Sequence, residues 1–97
     1  MSEAFVVGQM TVKDPEKWTQ YRSQVLATLL PFDGELVFRG EQALSFSGVN
    51  LHPDIVVIRF PTLELAQGWH GSAAYQKLIP LRQDAADVVL TSYATYP

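Results

Sequence analysis

His52 and His70 are the only histidines in this 97-residue sequence, and histidine is the side chain that changes charge near neutral pH. His52 lies in the turn-rich run Ser47-Gly48-Val49-Asn50-Leu51-His52-Pro53, where it is a candidate general base or hydrogen-bond donor. No acid at a telling spacing orients it, so an exposed loop histidine is the plainer expectation. His70 precedes Gly71, a helix terminator, and its expected role is contact with the helix C-terminus. No His-x-x-x-His or Glu-x-x-His spacing exists and cysteine is absent, so no metal site and no thiolate chemistry are expected. The two histidines are also the only usual axial ligands for a haem, and no cofactor is expected. Neither a Gly-x-Ser-x-Gly elbow nor a glycine-rich phosphate loop is present.

Aromatic and arginine side chains offer a different chemistry. Trp18, Tyr21, Trp69 and Tyr75 have the size to wall an apolar pocket, and their N–H and O–H groups the means to orient a flat ligand. The competing expectation is core, and Trp18 is assigned there. Arg39, Arg59 and Arg82 can each grip a carboxylate with two parallel hydrogen bonds. Their bland role is structural, Arg82 for instance pairing with Asp84 or Asp87.

The elements that must position these residues are marked by prolines and caps. A strand pattern over Ala4 to Val12 runs into Asp14-Pro15-Glu16, an N-cap followed by proline in the first helical turn. Trp18, Tyr21, Val25 and Leu29 then recur at helical spacing, until Pro31 and Asp33-Gly34 stop the helix. A second strand is expected over Glu35 to Arg39 and again over Ala43 to Phe46, with Gly40-Glu41-Gln42 as a bulge or tight hairpin between them. Ile55 to Phe60 is the third strand. Thr62 caps a helix that Gly71 ends, Ser72 caps a further turn through Tyr75 to Leu78, and Pro80 opens a short helical piece ending near Ala86. Val88 to Tyr96 is the last strand. The order is strand, helix, strand, twice over: a split βαβ arrangement in two similar halves.

The first and third strands are apolar on both faces; in the third only Arg59 is polar. Two helices cover one side of a sheet, so the other face calls for a second cover, most economically a second copy of the chain. Composition agrees, with 47% hydrophobic residues and 18% charged. The length suits one domain over residues 1–97. The net charge is −3 and the seven lysines and arginines are scattered, which argues against nucleic acid as a partner. No apolar run has the length of a membrane span, and Met1-Ser2-Glu3-Ala4 lacks the basic start of a signal peptide, so a soluble, cytoplasmic protein without a membrane partner is expected.

Asp14-Pro15-Glu16, Tyr21, Gly34, Val37 with Arg39-Gly40, Val56-Val57-Ile58, Phe60-Pro61-Thr62, Trp69, Ser72 with Tyr75-Gln76, Leu78, and Leu81-Arg82 with Ala85-Ala86 together resemble domain-of-unknown-function family 1330 over nearly the whole chain. The resemblance implies a ferredoxin-like fold of the dimeric α+β barrel superfamily. The chain departs from the family pattern at Arg59 and Asp54, where the usual charges are reversed, and at Leu51, His70 and Ala73-Ala74. Related superfamilies of this fold include cofactor-free monooxygenases, lactone isomerases, haem-dependent enzymes and plain ligand-binding modules.

The expectation is therefore an α+β protein: a four-stranded antiparallel sheet, two main helices on one face, dimerising through the other. Each subunit is expected to bind a small apolar or aromatic acid, with Tyr21, Trp69 and Tyr75 as walls and Arg39 or Arg82 as anchor. If the site is catalytic, the expected chemistry is cofactor-independent proton transfer or oxygenation, His52 or Tyr21 moving the proton. The rival expectation is a non-catalytic homodimeric module whose aromatics are core.

Overall fold

The computed structural model of the protein describes residues 2–96. Strand β1 (Ala4–Val12) leads into helix α1 (Pro15–Leu29), followed by β2 (Glu35–Glu41), β3 (Asp54–Phe60), the helices α2 (Leu63–Gly71), α3 (Ala73–Gln76) and α4 (Ile79–Ala85), and finally β4 (Ala86–Ala94). The sheet order is β2-β3-β1-β4 with every neighbouring pair antiparallel. β1 and β2 are thus parallel to each other across β3, and α1 makes the crossover between them; α2 to α4 make the equivalent crossover from β3 to β4.

Local chemistry accounts for the helix boundaries. Asp14 accepts a hydrogen bond from the Lys17 amide at 3.1 Å, with Pro15 in the first turn where its missing N–H goes unneeded. Thr62 caps α2 through the Leu65 amide at 3.2 Å, and Ser72 caps α3 through the Tyr75 amide at 3.3 Å. α1 tightens into a 3₁₀ turn over Leu30–Phe32 and stops at Asp33, whose φ of 57° is left-handed; the Gly34 amide then returns to the Leu29 carbonyl at 3.1 Å.

Even-numbered β1 residues face the helices. Ala4, Val6 and Met10 are buried there, paired across to Phe60, Ile58 and Asp54 of β3. Phe60, Trp69 and Tyr75 fill the space between sheet and helices, Trp69 lying 5.5 Å from Phe60 and 4.3 Å from Tyr75, centroid to centroid. The opposite face carries Phe5 and Val7 of β1, Ile55 and Val57 of β3, Phe38 of β2, and Val89 and Tyr93 of β4. Phe38, Val89 and Tyr93 are about half exposed, at 49%, 50% and 56%. Arg59 lies on this face between Glu3 and Glu35 and pairs with both.

Two details differ from the pattern reading. β2 runs without a break through Gly40 and Glu41, and its irregularity falls earlier, between Leu36 and Phe38, where Val37 is the extra residue. Ala43 to Phe46 is not a strand. The Gln42 amide instead donates to the Pro53 carbonyl at 2.6 Å, so 42–53 leaves the sheet as a loop. Strand propensity at Leu44 and Phe46 goes unused because no strand among the described residues pairs with them; both side chains are exposed.

Candidate functional site

A cavity of about 370 Å³ lies between α1 and the helix-facing side of the sheet. Helical spacing on α1 turns Trp18, Tyr21 and Val25 toward it, and Trp69 of α2 adds a second aromatic wall. Its floor is Val56, Leu90 and Met10, three side chains that converge around Gly8. A Cβ on Gly8 would sit 2.9 Å from a Val56 methyl and 3.3 Å from both Leu90 and Met10, so the missing side chain keeps the floor low. Four charged residues reach the cavity: Arg22 from α1, Arg39 and Glu41 from β2, and Asp54 from β3. Glu41 and Asp54 are direct cross-strand partners, a like-charge pairing that by itself is unfavourable. Among the described residues neither Arg22 nor Arg39 is held in an ion pair.

From Tyr21 in the cavity wall a polar chain runs inward to buried Tyr75. The Tyr21 and Tyr75 hydroxyls are 2.8 Å apart, and the Arg82 guanidinium donates to the Tyr75 oxygen at 2.9 Å. Burial pushes the Tyr21 phenol well above its ordinary range, reinforced by charge repulsion from the neighbouring Tyr75 phenol and opposed in part by Arg82. Its proton stays on at neutral pH, so Tyr21 acts as a hydrogen-bond donor or acceptor and not as a base. Trp69 is equally committed: its indole N–H donates to Thr28 Oγ1 at 2.9 Å, and the Thr28 hydroxyl in turn donates a hydrogen bond to the Val25 carbonyl at 2.6 Å. Trp69 therefore offers the cavity a ring and not a donor.

The structure brings Tyr21, Trp69 and Arg39 to one cavity. Tyr75 is wholly buried one layer behind, against Tyr21. Arg82 borders a separate shallow hollow with Gln83, Ala86 and Asp87, and only Val88 touches both spaces. The acids near Arg82 in sequence are taken by lysines, Asp87 by Lys13 at 3.3 Å and Asp84 by Lys17 at 3.8 Å. His52 does not line the cavity: its Nδ1 is 2.9 Å from Thr11 Oγ1, on an odd-numbered β1 position that faces away from the helices. His70 is exposed at the end of α2, its ring 5.5 Å from that of Tyr75. Trp18 stacks on Tyr21 at 5.1 Å and is a cavity wall as well as a core-edge residue. Among the described residues no group of three or more histidines or acids could hold a metal ion.

Pattern reading missed Arg22, Glu41, Asp54 and Thr28. Arg22 follows Tyr21 directly, and only a helix lying close over the sheet edge brings both to one opening. Thr28 carried a usable signal, because it lies seven residues after Tyr21 and so shares its helix face.

A four-stranded antiparallel sheet with its crossover helices on one face defines a ferredoxin-like α+β protein. Residues 3–94 match the model of a family described as a domain of unknown function, DUF1330, and the chain belongs to that family. No curated protein matches the sequence. Solved structures of the same fold include a protein of unknown function from Rhodopseudomonas palustris, at a TM-score of 0.82 and 13% identity, covering 99% of this chain and 84% of that one. SnoaB, a cofactor-independent oxygenase from Streptomyces nogalater, superposes at a TM-score of 0.69 and 10% identity over 100% of this chain and 96% of its own. A dimeric ferredoxin-like protein of unknown function from Thermobifida fusca does so at 0.60 and 14%, over 97% and 92%. Identities this low show a shared fold. Among the described residues no helix is long and apolar enough to cross a membrane.

Proposed function

We propose that each chain binds one small apolar or aromatic acid in the cavity beneath α1, and that two copies associate through the outer faces of their sheets. The observation that carries the reading is the pairing of an aromatic-walled cavity with two arginines, Arg22 and Arg39, that are held in no ion pair among the described residues. Trp18, Tyr21 and Trp69 suit a flat ring, and Arg39, with Arg22 beside it, suits a carboxylate at the opening. A module whose aromatics are purely core would have this space filled.

The homodimer reading rests on the apolar outer face, where Val7, Val57, Val89 and Phe38 have no helix over them among the described residues. A relative of the same fold is described as dimeric, which supports it. The same reading places the protein in the cytoplasm, with neither nucleic acid nor membrane as a partner.

Catalysis without a cofactor, by proton transfer or oxygenation, is the enzymatic form of the proposal. The fold it shares with SnoaB supports that form, and Tyr21 would serve it as a donor. A role for His52 would require it to exchange Thr11 for a partner at the cavity.

Titration with 2-naphthoic acid, followed by tryptophan fluorescence and by native mass spectrometry, tests the proposal. A saturable change from Trp18 and Trp69, with one acid retained per subunit of a dimer, is expected. Absence of saturable binding, or a monomer throughout, would overturn the corresponding half.

A further inference from the structure

The hydrogens of the Arg82–Tyr75–Tyr21 chain have one satisfactory arrangement. A guanidinium can only donate, so the Tyr75 oxygen accepts from Arg82. Tyr75 is fully buried and must place its own hydroxyl hydrogen; among the described residues the Tyr21 oxygen is the one acceptor within reach. If Tyr21 donated to Tyr75 instead, Tyr75 would accept twice and its own hydrogen would be a buried orphan, the more costly arrangement. The direction is therefore Arg82 to Tyr75 to Tyr21, and each bond polarises the next. Tyr21 is left as the terminal donor, with no protein acceptor for its hydrogen among the described residues and its ring in the cavity wall.

We infer that Arg82 and Tyr75 are positioning residues that hold the Tyr21 hydroxyl as a directed donor at the inner end of the cavity, and that the site selects ligands with a carbonyl oxygen there. This rests on the binding proposal above and narrows it to a class: planar aromatic acids carrying a ketone or quinone carbonyl opposite the carboxylate. The carbonyl accepts from Tyr21 and the carboxylate faces Arg39. A hydrocarbon of equal shape leaves the Tyr21 hydrogen desolvated and unmatched, so discrimination comes from an unpaired protein donor as much as from a gained bond.

The test uses two probes of matched shape, 6-acetyl-2-naphthoic acid and 6-isopropyl-2-naphthoic acid, on the full chain. Wild type should favour the ketone by about tenfold, the effect of one hydrogen bond. Tyr21→Phe should bring the ratio to about one, and Tyr75→Phe should lower it by releasing the hydroxyl, while a merely structural role for Tyr75 or Arg82 would weaken both probes in parallel. The bound ketone's infrared carbonyl band supplies a readout that needs no variant: in wild type it should shift to lower frequency than in an apolar solvent. Equal affinity for the two probes, or an unshifted carbonyl band, overturns the directed donor while leaving the cavity reading intact. Failure of both probes to bind sinks the binding proposal and this inference with it.

Discussion

Trp69 on α2 donates its indole hydrogen to the Thr28 hydroxyl on α1 at 2.9 Å, both residues being buried. The bond ties the two main helices together beside the cavity, and it takes the Trp69 N–H away from any ligand. Thr28→Val keeps the shape of the side chain and removes the acceptor, so it should destabilise the fold by about 1–3 kcal/mol, the cost of an orphaned buried donor. Thr28→Ser should lose much less. Urea unfolding of the three proteins decides the matter, and equal midpoints would show that the bond contributes nothing.

Alkaline conditions should expose the buried Tyr21. Its folded-state phenol loses its proton well above the ordinary value of about 10, whereas the unfolded chain loses it there. Between those two values the unfolded state binds fewer protons than the native one, so stability falls as pH rises. It is fully retained below about pH 10, and the slope attributable to Tyr21 is about −1.4 kcal/mol per pH unit above it. Tyr21→Phe should lack that increment. Chemical denaturation from pH 8 to 11 would show parallel curves for the two proteins if Tyr21 made no contribution.

Gly34 closes the turn after α1 against the core. A Cβ there would lie 2.8 Å from the Phe60 ring and 2.9 Å from a Leu29 methyl, and both neighbours are buried. Gly34→Ala should destabilise by about 1–3 kcal/mol through overpacking. By contrast Gly71→Ala, where a Cβ meets nothing within 4 Å, should be close to neutral. Thermal unfolding that ranked the two the other way would contradict the packing account.

Val57 stands near the centre of the outer sheet face, paired with Val7 on one side and Phe38 on the other. Val57→Lys should leave the circular dichroism of the fold in place and shift the protein toward monomer on a sizing column, since a lysine there carries charge into the proposed interface. An unchanged assembly would place the contact elsewhere.

Arg39 is exposed, so its grip on a ligand carboxylate should be modest. Arg39→Met should weaken 2-naphthoate binding by about 0.2–1 kcal/mol, and the loss should shrink as salt is added. Neutral naphthalene should bind both proteins alike. A matching loss for naphthalene would mean that Arg39 shapes the cavity and does not hold charge.

The residue pattern alone decided everything that depends on neighbours a few positions apart. Asp14 and Pro15, Thr62, and Ser72 announce their helices because a cap needs only the next three amides. Alternation along Ala4–Val12 and Ile55–Phe60 exposed two apolar sheet faces, because a strand turns every second side chain to the same side. Where the signal was ambiguous it was so for a local reason: Gly40 advertised a break in β2, yet the irregularity fell at Val37, where pairing with β3 and not composition sets the register. Only the tertiary structure decided what the aromatic residues do. Tyr21 and Tyr75 are 54 positions apart, as similar in type as two residues can be, and one walls the cavity while the other stands behind it with Arg82. That division depends on how α1 and α3 pack over one sheet, and on which buried hydrogen finds an acceptor. Neither is encoded in any short stretch of chain, because both arise from contacts between segments that meet only when the fold is complete.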